Sequence, residues 1–195
     1  MKQIILVRHS EPQKSSGLPN EAIPLTGNGV LLAKKLFETP TFAGATSVHS
    51  SPYKRALDTA ALLGLPITTD DRLAERKLGD ESTLNGDFWA RQYADPNFKN
   101  KDGESLRETG KRMTAFMGDL LQKMDDSETA VVVSHAAAIC AYLMNFCTVT
   151  VLDAAQKVRK IVFQSETVLN GKIGTPSAFL LEFCEGVLTN ISHIE

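Results

Sequence analysis

Two short runs, Ile4–Val7 (IILV) and Ala130–Val133 (AVVV), carry no polar residue on either face. A strand with one wet face alternates apolar and polar side chains. A run that is apolar at every position reads as a strand covered on both sides, the habit of parallel sheets packed between helices. Around these runs the pattern shifts to helical spacing. Thr26 is placed to cap a helix whose apolar positions are Val30, Ala33, Leu36 and Phe37, ended by Pro40. Ala45–Ser50 reads as a short strand. Pro52 opens a helix carrying Tyr53, Ala56, Leu57 and Ala60, closed by Gly64 and Pro66, and Leu65–Thr68 reads as another strand. Glu104–Met124 is expected as a longer helix with Leu106, Met113, Phe116, Met117 and Leu120 on its apolar face. Ala136–Phe146 is apolar nearly all round and so reads as a buried helix. Val158–Gln164 and Ala178–Phe183 read as strands, with Asn170–Gly171 as a turn signal between them. The alternation predicts an α/β sandwich with a mainly parallel sheet and an antiparallel edge strand.

A chain of 195 residues, 43% hydrophobic and 23% charged, suffices for one core, and residues 1–195 are expected to form a single domain. The polar stretch from Leu78 to Asn100, with Phe88, Trp89, Tyr93 and Phe98 scattered through it, predicts a loop with a short helix, part of a small cap-like insertion at about 78–125. A net charge of −2 supplies no basic field for nucleic acid or for an acidic membrane. Ile4–Val7 is too short for a secretory apolar region and no later run reaches bilayer length. Cys140, Cys147 and Cys184 are odd in number and lack CxxC spacing, so the expectation is a reduced, cytoplasmic protein without disulfides or structural zinc. Nothing in the pattern specifies an oligomeric state.

The residues just after the two apolar runs point to function. IILV leads into Arg8-His9, and AVVV into Ser134-His135. Ligands of parallel sheets bind at the carboxyl ends of the strands. If the two strands are parallel neighbours, both histidines face one crevice, and a third strand, ending near His49-Ser50-Ser51, hands over to a helix carrying Arg55. Two histidines and two arginines at one sheet edge make a compact cationic site whose natural guest is a phosphate, because guanidinium forks match phosphate oxygens. His49 lacks an adjacent arginine and His193 lies near the carboxy terminus; both read as structural.

At these residues the chain resembles the histidine phosphatase superfamily, the relatives of the phosphoglycerate mutases. Arg8-His9 after a strand, SSPYKRALDTA at 50–60, LAERKLG at 73–79 and VVVSH at 131–135 carry the resemblance, joined by LTGNG at 25–29 and DGES at 102–105. It implies a three-layer α/β/α sandwich of the phosphoglycerate mutase type, and a phosphohistidine route that needs no metal or other cofactor. His9 would be the nucleophile. Arg8, Arg55 and His135 would hold the phosphoryl oxygens, and Arg8 and Arg55 would keep the imidazole neutral. Glu75 lies where the family keeps its general acid. From local sequence alone, Glu75 reads first as a surface partner of Arg72 or Arg76, a reading that the surrounding motif reverses, and Asp80, Glu81 and Glu104 are rival acids.

The chain departs from the family at four places. Ser10 replaces the usual glycine after the histidine, and Ser15 stands where many members place a phosphate-touching asparagine. Asp80-Glu81-Ser82-Thr83 replaces Asp-Trp-Glu-Gly, and Ala136 replaces the glycine after the second histidine. Ser10, Ser15 and Ala136 are therefore counted among the candidate phosphate or substrate contacts. The resemblance implies a phosphomonoesterase for a small phosphorylated metabolite. About sixty residues separate Glu75 from His135, fewer than mutases tend to have, which favours hydrolysis. A mutase-type phosphotransferase is the alternative enzyme, and a phospho-ligand-binding protein without turnover the alternative outside catalysis. The expected partner is a small-molecule phosphate ester, with neither nucleic acid nor membrane.

Overall fold

The structure is a computed structural model that describes residues 1–14, 17–80, 82, 84 and 86–194, with only the backbone of 86 and 87. Strands β1 (Lys2–Arg8), β2 (Ala45–Ser50), β3 (Ile67–Thr69), β4 (Thr129–Ser134), β8 (Ser177–Cys184) and β9 (Val187–Ile194) form one sheet in the order β3-β2-β4-β1-β8-β9. The first four are parallel; β8 pairs antiparallel with β1, and β9 pairs antiparallel with β8 at the sheet's edge.

Period-two alternation in β1 divides the core. Ile4 and Leu6 pack with Met113, Phe116 and Met117 of α4 (Leu106–Lys123) and with Ile139 and Leu143 of α5 (Ala136–Leu143). Ile5 and Val7 turn the other way, onto Leu36 of α1 (Gly27–Phe37) and Ala56 and Ala60 of α2 (Lys54–Ala61). All four β1 side chains are fully buried, each contributing about 1.5–3 kcal/mol of apolar transfer. Helices on both faces complete the three-layer sandwich. Thr26 caps α1 as its sequence predicts, its hydroxyl accepting from the Gly29 amide at 2.8 Å, and Ser105 and Glu108 form a reciprocal capping box on α4.

The sheet differs from the expectation in three ways. Two strands, not one, form the antiparallel edge. A separate antiparallel sheet, β5 (Thr148–Asp153), β6 (Val158–Phe163) and β7 (Glu166–Gly171), comes after α5 and packs Ile161, Phe163 and Leu169 into the core beneath α4 and α5. Asn170–Gly171 is no turn; it ends β7. The β6–β7 reversal falls at Gln164–Ser165, both left-handed at φ 45° and 75°. The buried helix also stops at Leu143, three residues short of the expected Phe146.

The described residues between 78 and 105 leave the sandwich and return, carrying α3 (Gly86–Ala94). Their neck is a close backbone approach. Gly79 is left-handed, and a Cβ there would stand 2.2 Å from the Lys101 carbonyl; the Glu104 amide donates to the Lys77 carbonyl at 2.8 Å. No helix among the described residues is long and apolar enough to cross a membrane.

Candidate active site

β1 and β4 are parallel neighbours, with Arg8 opposite Ser134, and the His9 amide donates to the Ser134 carbonyl at 2.9 Å. The two histidines therefore leave adjacent strand ends side by side. Their ring centroids are 4.9 Å apart. β2 adds the third strand end, where the Ser51 amide donates to the Val133 carbonyl, and the first turn of α2 delivers Arg55. The convergence expected from the sequence is present.

His9 is 5% exposed. Its Nδ1 lies 2.7 Å from the Ser10 carbonyl, an acceptor only, so Nδ1 carries the proton and Nε2 holds the lone pair. Arg55 Nε donates to that Nε2 at 3.1 Å. Burial, working against the Ser10 carbonyl and reinforced by Arg55, Arg8 and Lys14, pushes the His9 pKa down to about 3. His135 is fully buried and pushed well below its ordinary value, first by burial and then by His9 and Arg55. His135 Nε2 meets Ser51 Oγ at 2.8 Å, and its Nδ1 has no hydrogen-bond partner among the described residues. Arg8 Nη1 donates to the Ile173 carbonyl at 2.5 Å, while its buried Nε is also without a partner among them. Arg55 Nη1 donates to the Asn20 carbonyl at 2.5 Å.

Glu75, half-buried, lines a cleft together with Arg8 and Ala136; that cleft meets the histidine site at Arg8, while His9, Arg55 and His135 are not among its lining residues. It has no ion-pair partner among the described residues. Arg72 is taken by Asp70 and Asp119, and the Arg76 guanidinium by the Gln92 side chain and the Glu104 carbonyl. Glu75 Oε1 instead accepts the Arg76 amide at 2.8 Å and the Ala138 amide, in the first turn of α5, at 3.2 Å. The rival acids lie elsewhere. Glu104 is ion-paired with Arg112: burial opposes its ionisation, but the Arg112 fork and the Lys77 amide outweigh that and hold the carboxyl low. Asp80 is exposed and accepts from Ser82. Glu81 and Ser15 fall outside the described residues.

Ser10 corrects an expectation. Its hydroxyl donates to the Gly29 carbonyl at 2.6 Å and its amide to Thr59 Oγ1 at 3.0 Å, so it ties the turn after β1 to α1 and α2 instead of offering a donor to phosphate. Its contribution to the site is the carbonyl that holds His9. Ala136 lines the cleft. Sequence reasoning missed Ser51 and Asn20. Ser51 lies inside the SSPYKRALDTA motif, which could have pointed to it, while Asn20 carries no local signal. The cleft measures about 580 Å³, walled by Trp89, Gln92 and Tyr93 of α3, by the β5–β6 turn and by residues 172–175.

A mainly parallel sheet between helix layers, with two histidines and two arginines gathered at its strand ends, defines an α/β sandwich with a cationic site at the carboxyl edge of the sheet. Residues 4–159 match the histidine phosphatase superfamily (branch 1). The chain belongs to that superfamily. A relative named probable phosphoglycerate mutase GpmB, from Salmonella arizonae, is 30% identical in an alignment 155 residues long that covers 71% of this chain and 72% of that protein. Among solved structures, a phosphoserine phosphatase from Entamoeba histolytica superimposes with a TM-score of 0.68 at 21% identity, covering 98% of this chain and 97% of its own. A phosphoglycerate mutase from Thermus thermophilus gives 0.65 at 20% identity, covering 99% of both. At these identities the two structures testify to the fold.

Proposed function

We propose that the protein is a metal-independent phosphomonoesterase that hydrolyses a small phosphorylated metabolite through a phosphohistidine on His9. The observation that carries this reading is the geometry of the His9 ring, its Nδ1 on the Ser10 carbonyl and its Nε2 left as the acceptor that meets Arg55 Nε, with the His135 ring 4.9 Å away.

In the first step the Nε2 lone pair forms the N–P bond as the ester P–O bond breaks, and the departing oxygen takes a proton from the Glu75 carboxyl. In the second, water attacks phosphorus and gives a proton to the Glu75 carboxylate. The N–P electrons return to Nε2 and inorganic phosphate leaves. The protein's work is positioning and charge neutralisation. Arg8 and Arg55 present guanidinium forks. If Ser51 donates to His135 Nε2, the proton of His135 resides on Nδ1, the atom without a partner among the described residues, as a further donor for a phosphoryl oxygen.

The test is phosphate release from an aryl phosphate in the presence of chelator, with His9→Ala alongside, and mass spectrometry of the acid-labile phosphohistidine. Release that disappears with His9 supports the reading. Release that persists in the variant overturns it. The relatives' name favours a second reading, phosphoryl transfer to another metabolite, which appears in the same assay as phosphate delivered to an added acceptor in preference to water. A stable complex with esters and no turnover would mark a binding protein.

A further inference from the structure

Beyond the phosphate end, the cleft holds positive charge that this reaction does not use. Besides Arg8 of the phosphate end, Lys14, Arg76, Lys157, Arg159 and Lys172 line it, against Glu75 as the one carboxylate among its described lining residues. Arg76 is occupied by Gln92 and the Glu104 carbonyl, and Lys172 donates to Gln156.

Arg159, on β6, is different. It is 5% exposed and forms no ion pair among the described residues. Its Nη2 donates to the Lys157 carbonyl at 3.3 Å, but its Nη1 is buried and without a partner among them. Its other neighbours are the Tyr93 ring, 5.6 Å away, the Cys140 thiol and, across the cleft, the Glu75 carboxylate, which favours its charge without forming an ion pair. A buried guanidinium with no ion-pair partner among the described residues and one unpartnered nitrogen is costly, and a chain that keeps one beside an open cleft has reason to.

Lys157 stands two residues away in the β5–β6 turn, with φ at 58°, where glycine or asparagine is the ordinary choice. A lysine held in that conformation presents its ammonium 4.7 Å over the Trp89 ring, at the cleft wall. Although Lys157 is exposed, the partial burial of its side chain, together with Arg8, Lys14 and Arg159 and against Glu75, pushes its pKa down, so Lys157 and Arg159 share a field with the phosphate end.

We propose that Arg159 and Lys157 form a second anion subsite, and that the substrate is a small phosphate ester bearing another anionic group, a carboxylate or a second phosphate, at its far end. The inference rests on the phosphatase reading and adds what the substrate's other end must be. A guanidinium fork accepts either group, and about 580 Å³ holds a metabolite of modest size.

The experiment uses alkyl phosphates of about two to five carbons ending in a carboxylate, in a second phosphate or in a hydroxyl. The expected kcat/KM for the better anion-ended series exceeds that of the hydroxyl-ended series by roughly 10- to 100-fold, the ordinary worth of a charge-assisted pair. Arg159→Met is expected to bring that ratio close to one, mainly through KM. Arg159→Lys should keep part of it, and Lys157→Ala should lower it severalfold. If Arg159→Met does not fold, Arg159→Lys and the exposed Lys157→Ala decide the matter. A ratio near one in the unmodified protein, or a ratio that survives these changes, overturns the subsite and leaves the phosphatase reading standing. If no ester turns over, the phosphatase reading fails, and the same ratio taken from dissociation constants, measured calorimetrically on His9→Ala, supports or overturns the subsite by itself.

Discussion

Arg55 Nε donates a hydrogen bond to His9 Nε2 at 3.1 Å. The lone pair that accepts this bond is the one that must attack phosphorus, so the contact has to break before transfer. A phosphate oxygen is the better acceptor for a guanidinium, and its arrival would draw Arg55 off the ring and free the nucleophile in one movement. Arg55→Ala is expected to lower kcat/KM by roughly 10²–10³-fold, the usual cost of losing one preorganised donor. Arg55→Lys should rescue little of it, since an ammonium lacks the fork. Steady-state kinetics with an aryl phosphate would measure both.

His9 should stay neutral through most of the acid range. With its pKa near 3 in the fold and about 6.5 in the unfolded chain, the unfolded state binds the extra proton between those values. Stability is therefore expected to be fully present above about pH 6.5 and to fall as pH drops toward 3. His135, shifted the same way, adds to the slope. His9→Asn should flatten part of this dependence in thermal melts taken across pH. Proton–nitrogen NMR of the free protein should show the His9 ring unprotonated at pH 5; a ring charged at that pH would contradict the arrangement.

Glu75→Gln should reveal itself through the leaving group. An alkoxide needs a proton and a nitrophenolate does not, so the loss is expected to be about 10²–10⁴-fold for alkyl esters and much smaller for activated aryl esters. Equal losses for both would remove Glu75 from the role of acid.

The family's glycine at position 10 would not suit this chain. Ser10→Gly deletes the bond to the Gly29 carbonyl and is expected to cost about 1–2 kcal/mol in denaturant unfolding, with phosphate affinity little changed. Gly29→Ala attacks the same junction differently, since the new Cβ would stand 2.4 Å from the Glu11 carbonyl. It should cost about 1–3 kcal/mol through displaced backbone.

The catalytic edge was legible in the sequence because strand burial and strand ending are both local signals. IILV and AVVV can only be central strands, and the residue after a central parallel strand stands at the ligand edge. Ser51 and Asn20 act through contacts across the fold, which no spacing encodes. The second sheet was missed for another reason. Thr148–Asp153 does alternate, but it comes after α5 with only a short junction, and the turn at Gln164–Ser165 is left-handed without a glycine or asparagine to announce it. Asn170–Gly171 carried the standard turn signal and lies in a strand. Ser10 misled because a motif position names a place near the ligand without saying which way the side chain turns.

The bond from the His9 amide to the Ser134 carbonyl joins two strands whose apolar side chains are wholly buried. Such amides exchange with solvent only when the whole fold opens. The spacing of the two histidines is thus expected to be held by the slowest-exchanging part of the molecule, leaving the catalytic edge without a partly loosened state of its own. On heating, activity and tertiary structure should disappear together, in a single cooperative step.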